Sequence, residues 1–191
     1  MWIISKYKSD TDWVKEYTND FVILDKEEKN VGYNIYSMMT FIIDHYDTLP
    51  DICVFVKDNI LQRHITKEEF EKVINNREFT PLLTQFHAID GITAYYKDGI
   101  YWERNNSWYF AEYPYKYFRS YPEFAELIGI ASPPYLPFAP GANYIVPKEN
   151  ILRHPKALYE KLLEFCRWST INAESHTIER ALYTIWSTDK I

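Results

Sequence analysis

The sequence predicts an α/β fold: a Rossmann-like mixed sheet, mostly parallel in the N-terminal half and flanked by helices, in a single domain over residues 1–191. Three observations carry this expectation. Short apolar runs at residues 2–5, 21–24 and 52–56 have the length and composition of buried strands. Between the last two, Ile35, Met38, Met39, Ile42, Ile43 and Tyr46 recur at i, i+3, i+4, i+7, i+8 and i+11, which is one face of a helix. Strands and helices in alternation require right-handed crossovers and therefore parallel neighbours.

The elements follow in order. After the first strand, Ser9 and Asp10 are placed to cap a helix through Trp13, Val14 and Tyr17, with Asp12 closing an approximate capping box. Residues 21–24 form the second strand and the charged residues 25–29 its exit loop. The helix over 33–46 stops at Asp47-Thr48-Leu49-Pro50, and the third strand follows. Thr66 and Glu69 make a capping box for a helix carrying Phe70, Val73 and Ile74. Beyond it the pattern changes. Residues 92–96, a tight Lys97-Asp98-Gly99 turn and residues 100–103 read as a hairpin, and Asp90-Gly91 as a further turn. Residues 105–121 are polar and aromatic with few regular signals, and 122–128 suit a short helix. Pro133-Pro134-Tyr135-Leu136-Pro137-Phe138-Ala139-Pro140 lacks too many amide donors for a helix or a central strand and predicts a rigid loop, leading into a strand at 141–146. Helices are expected over 148–153, 156–167 and about 175–186.

Composition narrows the function classes. A hydrophobic content of 47% over 191 residues supports a real core. Net charge is −6 with no run of Lys or Arg, which argues against a nucleic-acid backbone as partner, so a bound nucleotide would be a small molecule. The 17 Tyr, 11 Phe and 6 Trp suit ring stacking on sugars or bases as well as packing. Two cysteines without metal or disulfide spacing read as reduced, buried thiols of a cytoplasmic protein. No stretch reaches the ~18 apolar residues of a membrane span, and the N-terminus turns polar too soon for a signal peptide. The absence of a Gly-x-Ser-x-Gly elbow, a P-loop and a Gly-x-Gly-x-x-Gly removes the usual support for hydrolase and dehydrogenase readings. The five histidines show no zinc spacing.

What remains is a set of polar clusters at strand ends. Ser5, Lys6 and Tyr7 follow the first strand, Asn30-Val31-Gly32 opens the long helix, and Lys57 and Asp58 end the third strand. Ligands of open α/β sheets bind beyond the carboxyl ends of the strands, so these clusters are expected to converge on one nucleotide-binding crevice. There Tyr7 would stack on a base, Gly32 would let backbone approach a phosphate or ribose, and Asp58 would hold a divalent cation on a diphosphate. Near the C-terminus, Ser175 is placed to cap the last helix. His176, Glu179 and Arg180 lie within a single turn, where they can face one cleft. Arg180 would either offset leaving-group charge or pair with a neighbouring acid, and His176 would contact acceptor or phosphate.

The front of the chain resembles the nucleotide-binding half of GT-A glycosyltransferases, in which a strand ends in a base-stacking residue, an Asn-x-Gly loop starts a helix, and the next strand ends in an Asp-x-Asp metal motif. More closely, Ile4-Ser5-Lys6-Tyr7, Asn30-Val31-Gly32, the stretch from His45 through Tyr46-Asp47-Thr48-Leu49-Pro50-Asp51 to Phe55, Gly141-Ala142-Asn143-Tyr144-Ile145-Val146-Pro147 and His176-Thr177-Ile178-Glu179-Arg180 are similar to a small GT-A-like family found in bacteria, fungi and large viruses. The similarity covers nearly the whole chain. It implies a single GT-A-like domain, with residues 1–60 as nucleotide-binding half and 61–191 as acceptor half. It also implies transfer of a sugar from a nucleotide-sugar donor, a UDP-sugar, to a glycan acceptor, with Mn²⁺ or Mg²⁺ on the pyrophosphate. Related enzymes carry an acidic base near the start of a late helix, which points to Glu179, with Glu174 and Asp90 as competing acids. This chain departs from the Asp-x-Asp pattern at Val56, leaving Asp58 as that motif's only carboxylate. A non-catalytic nucleotide- or carbohydrate-binding module on the same fold is the alternative.

Overall fold

A computed structural model of the chain describes all residues except 27, 29, 85–90, 98 and 188–191. The expected Asp90-Gly91 turn and the Asp98 position of the hairpin turn, together with Asp90 as a competing acid, therefore involve residues outside the described set. The first strands are β1 (Trp2–Lys6), β2 (Phe21–Asp25) and β3 (Ile52–Lys57), joined through α1 (Tyr33–Asp44). β1 lies between β2 and β3 and is parallel to both. Next come α2 (Ile60–Arg63), α3 (Lys67–Val73), β4 (Thr80–Pro81), β5 (Ala94–Lys97), β6 (Ile100–Arg104), α4 (Tyr109–Glu112), α5 (Tyr121–Ile128), β7 (Tyr135–Phe138) and β8 (Tyr144–Pro147). The chain ends in α6 (Lys148–Leu152), α7 (Lys156–Cys166) and α8 (Ala173–Ser187). β8 runs antiparallel to β3 and β4, giving a five-stranded mixed sheet in the order β2-β1-β3-β8-β4.

Strand alternation divides the core between the two faces of this sheet. Ile3, Cys53, Phe55, Tyr144 and Val146 pack with the apolar face of α1 and with Tyr159, Leu162, Ile178 and Trp186 of α7 and α8. Trp2, Ile4, Val54, Val56 and Ile145 face the other way, onto Val14, Ile60 and Phe70. The helix over 33–46 is shorter than its periodicity suggests: α1 closes at Asp44, and Tyr46–Thr48 form one 3₁₀ turn. Thr66 accepts the Glu69 amide at the start of α3, as a capping box requires.

Several expectations change. β5 and β6 pair antiparallel, as the expected hairpin does, and join β7 in a separate sheet, order β5-β6-β7. The Pro-rich segment is thus not simply a loop. Its centre is an edge strand, with Pro137 opposite Trp102, where a missing amide donor is tolerated because one side of the strand is unpaired. The helix near Trp13 is a 3₁₀ helix, Asp12–Glu16, and Ser9 does not cap it. α8 begins before Ser175: the Asn172 side chain accepts the Ser175 amide at 2.7 Å, so Asn172 does the capping. Both cysteines are free and buried, and burial pushes each thiol up to about 12.

Gly32, at the start of α1, sits at φ +61°, and a Cβ there would meet the Cys166 carbonyl oxygen at 2.8 Å. The glycine lets α1 approach the end of α7, where its N–H donates to Ser169 O. Replacing it confronts both a left-handed backbone and rigid main chain. Gly32→Ala is expected to lower stability by about 1–3 kcal/mol, read as a reduced urea midpoint with an unchanged denaturant slope.

Candidate functional site

The carboxyl end of β3, the amino end of α1, α2, β6 and the face of α8 surround a cavity of about 460 Å³. Each element contributes for a local reason. Lys57 is the last residue of β3, and α2 begins so soon after it that Gln62, Arg63 and His64 stay at the same end of the sheet. α1 begins at the cavity without a side-chain cap and without an acid in its first turn. Its first residues, Tyr33, Asn34 and Ile35, line the wall, so the positive end of the helix dipole lies at this side. Tyr33 holds a left-handed backbone at φ 52°, strain of the kind that proteins keep where geometry matters.

α8 presents Ser175, His176, Glu179 and Arg180 to the cavity from successive turns of one face. Arg180 is buried and gives Glu103 of β6 two hydrogen bonds, from Nε at 2.7 Å and Nη2 at 3.0 Å. Its third nitrogen, Nη1, donates to His176 O and lies 3.4 Å from Glu179 Oε2. The guanidinium also lies over the rings of Tyr109, Phe138 and Trp108, and Trp108 Nε1 donates to Glu103. Arg180 is therefore committed to Glu103 rather than free to meet a leaving group. Of the two acids on the cavity wall, Glu179 is the less constrained, with Oε1 accepting the Gly141 amide at 2.7 Å.

Burial governs the titration of these groups. It raises the Glu179 carboxyl above the ordinary glutamate value, against the pull of Arg180, the Gly141 amide and Lys57. Glu179 stands in the second turn of α8, where the helix dipole has faded, so burial dominates its shift. Burial, then Arg180 and Lys57, push His176 down to about 3, so the imidazole is neutral and brings no charge to a phosphate. Its ring stacks on Tyr113 at 4.4 Å and meets Tyr33 edge-on. His64 is likewise pushed to about 3 by burial, Lys57 and Arg63. The buried His176 Nε2 and both ring nitrogens of His64 have no hydrogen-bond partner among the described residues, an arrangement that a polar ligand would relieve. The Lys57 ammonium is lowered by burial and sits among Glu179, Arg63 and Asp58.

The other residues expected at the nucleotide site lie off the cavity wall. Ser5 is buried and bonds Ser37 of α1, Lys6 pairs with Asp25 at 2.8 Å, and Tyr7 carries the Lys8 ammonium over its ring. Asn30 stands outside the lining, and Gly32 approaches α7 rather than a phosphate. Glu174, a competing acid, is buried and accepts the Lys116 and Tyr117 amides, away from the cavity. Asp58 is 4% exposed and its Oδ2 accepts the amides of Tyr7 at 2.6 Å and Ser9 at 3.1 Å. Its charge already faces the ammonium groups of Lys26 and Lys57. These residues do not fit the divalent cation that the Asp-x-Asp resemblance implies: one Asp58 oxygen is engaged by the 7–9 turn, and Asp58 is not among the residues lining the cavity. Among the described residues, no cluster of three His, Cys, Asp or Glu could hold a metal instead.

Arg63, His64, Glu103, Trp108 and Tyr113 are cavity residues that the sequence reading missed. For Arg63 and His64 the available signal is their closeness to the end of β3, since a chain leaving a strand end cannot travel far in a few residues. For Trp108 and Tyr113 it is the aromatic density of residues 105–121. Glu103 has no local signal, because its partner lies 77 residues away.

If Asp58 is a latch for the turn after β1, its loss should be felt in stability. Asp58→Ala is expected to cost about 1–3 kcal/mol by leaving amide donors unsatisfied, measured by thermal or denaturant unfolding. An unchanged unfolding midpoint would free the carboxylate for another task.

No helix among the described residues is long and apolar enough to cross a membrane. Neither the curated proteins nor the solved structures contain a match to this chain. Residues 2–85 match the model of a family described as a protein of unknown function, DUF3431, a segment that holds β1 to β3 and the cavity residues Lys57, Arg63 and His64 but not α8.

Proposed function

We propose that this chain is a GT-A-like glycosyltransferase that moves a sugar from a nucleotide-sugar donor, a UDP-sugar, to a glycan acceptor. The observation that carries the reading is the cavity's polarity. One side offers Lys57 from the end of β3 and Arg63 from α2 to anionic oxygens, while α8 offers the partly buried carboxylate of Glu179. The aromatic wall of Tyr33, Trp108 and Tyr113 between them suits the apolar faces of sugar rings. The cavity's position at the carboxyl end of β3, in a mixed sheet with three parallel strands, supports this reading, since ligands of α/β sheets bind beyond strand carboxyl ends.

In the reaction, the acceptor hydroxyl oxygen attacks the anomeric carbon as the bond from that carbon to the diphosphate oxygen breaks. The departing UDP keeps the electron pair, and Glu179 takes the hydroxyl proton. Burial strengthens Glu179 as a base by raising its proton affinity toward the working pH. The Gly141 amide on Oε1 holds the carboxylate in place. Arg180 acts at one remove, as a positioning residue tied to Glu103.

Glu179→Gln is expected to lower sugar transfer by ~10²-fold or more while UDP binding is kept, because size and hydrogen bonding survive and basicity does not. Wild-type activity should fall on acidification through a pKa above the ordinary glutamate range, since the base acts only when ionised and burial raises its folded-state value. That acid limb should vanish in the Gln variant. UDP binding with no transfer to any glycan, and no slow release of UDP from a UDP-sugar, would make the chain a binding module instead.

A further inference from the structure

We infer that the diphosphate site of this protein works without a divalent cation, with the Lys57 ammonium in the position where the resemblance expects a metal; the inference rests on the nucleotide-diphosphate reading above. The argument starts from the two-residue period of β3. Val54 and Val56 point into the core cluster on one face of the sheet, while Cys53 and Phe55 point into the cluster on the other. Lys57 continues the second series and reaches the cavity wall. Asp58, next along, is drawn to the opposite side, where the Tyr7 and Ser9 amides bond its carboxylate and the Trp13 indole donates to its backbone carbonyl. The position that would carry the motif's other acid is Val56, 2% exposed within the core. At the end of β3 it is an ammonium that meets the cavity, and the carboxylate is turned away.

The surroundings of Lys57 suit an anion. Its ammonium makes no hydrogen bond or ion pair within bonding distance among the described residues, though its backbone N–H is fixed by Asn143 Oδ1 at 2.8 Å. Asn143 is fully buried and its Nδ2 has no partner among the described residues. Nearby, Gly141 lies against His64 so closely that a Cβ would come within 2.7 Å of the imidazole Nε2, which also has no partner among the described residues. A neutral imidazole donates one N–H and an ammonium three, and both suit phosphate oxygens. Arg63 on the rim supplies a second positive charge. Burial lowers the Lys57 ammonium even beside the Glu179 and Asp58 carboxylates, and a diphosphate adds charge-assisted hydrogen bonds to it as it binds.

Calorimetry with inorganic pyrophosphate and with UDP, each in EDTA and again in Mn²⁺, tests this directly. Binding of pyrophosphate in EDTA, no more than ~2-fold tighter with Mn²⁺ and weakened by ~10-fold or more in Lys57→Gln but not in Lys57→Arg, would sustain the inference. Circular dichroism of the Gln variant checks that its fold is kept. Pyrophosphate binding that requires Mn²⁺, or none in either buffer, would overturn it. Metal-dependent UDP binding would overturn the inference and leave the nucleotide reading standing. Metal-free pyrophosphate binding with no affinity for UDP would do the reverse, keeping the anion site and removing the nucleotide.

Discussion

The pair formed by Glu103 and Arg180, buried between the small sheet and the last helix, holds the two sides of the cavity together. Two parallel hydrogen bonds join them, and three aromatic rings pack on the guanidinium. Breaking such a pair from one side leaves an uncompensated charge in the interior, at a cost of about 3–5 kcal/mol. Because β6 belongs to the separate antiparallel sheet and α8 packs on the main core, this contact ties the one to the other beside the cavity. The position of Glu179 follows, since it precedes Arg180 on the same helix and shares its third guanidinium nitrogen.

A second constraint comes from the far side of the cavity. Cores on both faces of the main sheet leave β3 no freedom of register, because a slip of one residue would exchange the two apolar sets. Lys57 and Asp58 therefore have assigned sides. The turn after β1, where Lys8 has a φ of 70°, uses the Asp58 carboxylate as its acceptor. Packing of the sheet and chemistry of the cavity are here one arrangement: the acid serves the fold and the ammonium serves the site.

These two constraints explain the electrostatic character of the cavity. Partial burial outweighs neighbouring charges at Glu179, His176, His64 and Lys57 alike. Neutral imidazoles, an ammonium lowered in pKa and a carboxyl group raised in pKa result. The ring of Tyr33 against His176, and of Tyr113 stacked on it, keeps the imidazole in place without consuming its Nε2.

The sequence by itself determined the alternating strands, the face of α1 and the parallel pairing of the first three strands, because hydrophobic periodicity is local and burial enforces it. It also brought out the spacing of His176, Glu179 and Arg180, since one helical turn is enough to align them. Only the tertiary structure decided that β5, β6 and β7 form a sheet of their own. That outcome depends on where an edge strand with a proline finds a partner, and no local pattern states it. Tertiary structure likewise settled which end-of-strand residues meet the cavity. Ser5, Lys6, Tyr7 and Asp58 all stand at strand ends, yet only Lys57 among the residues around them lines the wall, because each orientation depends on the face its strand presents. Arg180 could have met a ligand or an acid, and what chose Glu103 was the approach in space of residues 77 apart in sequence.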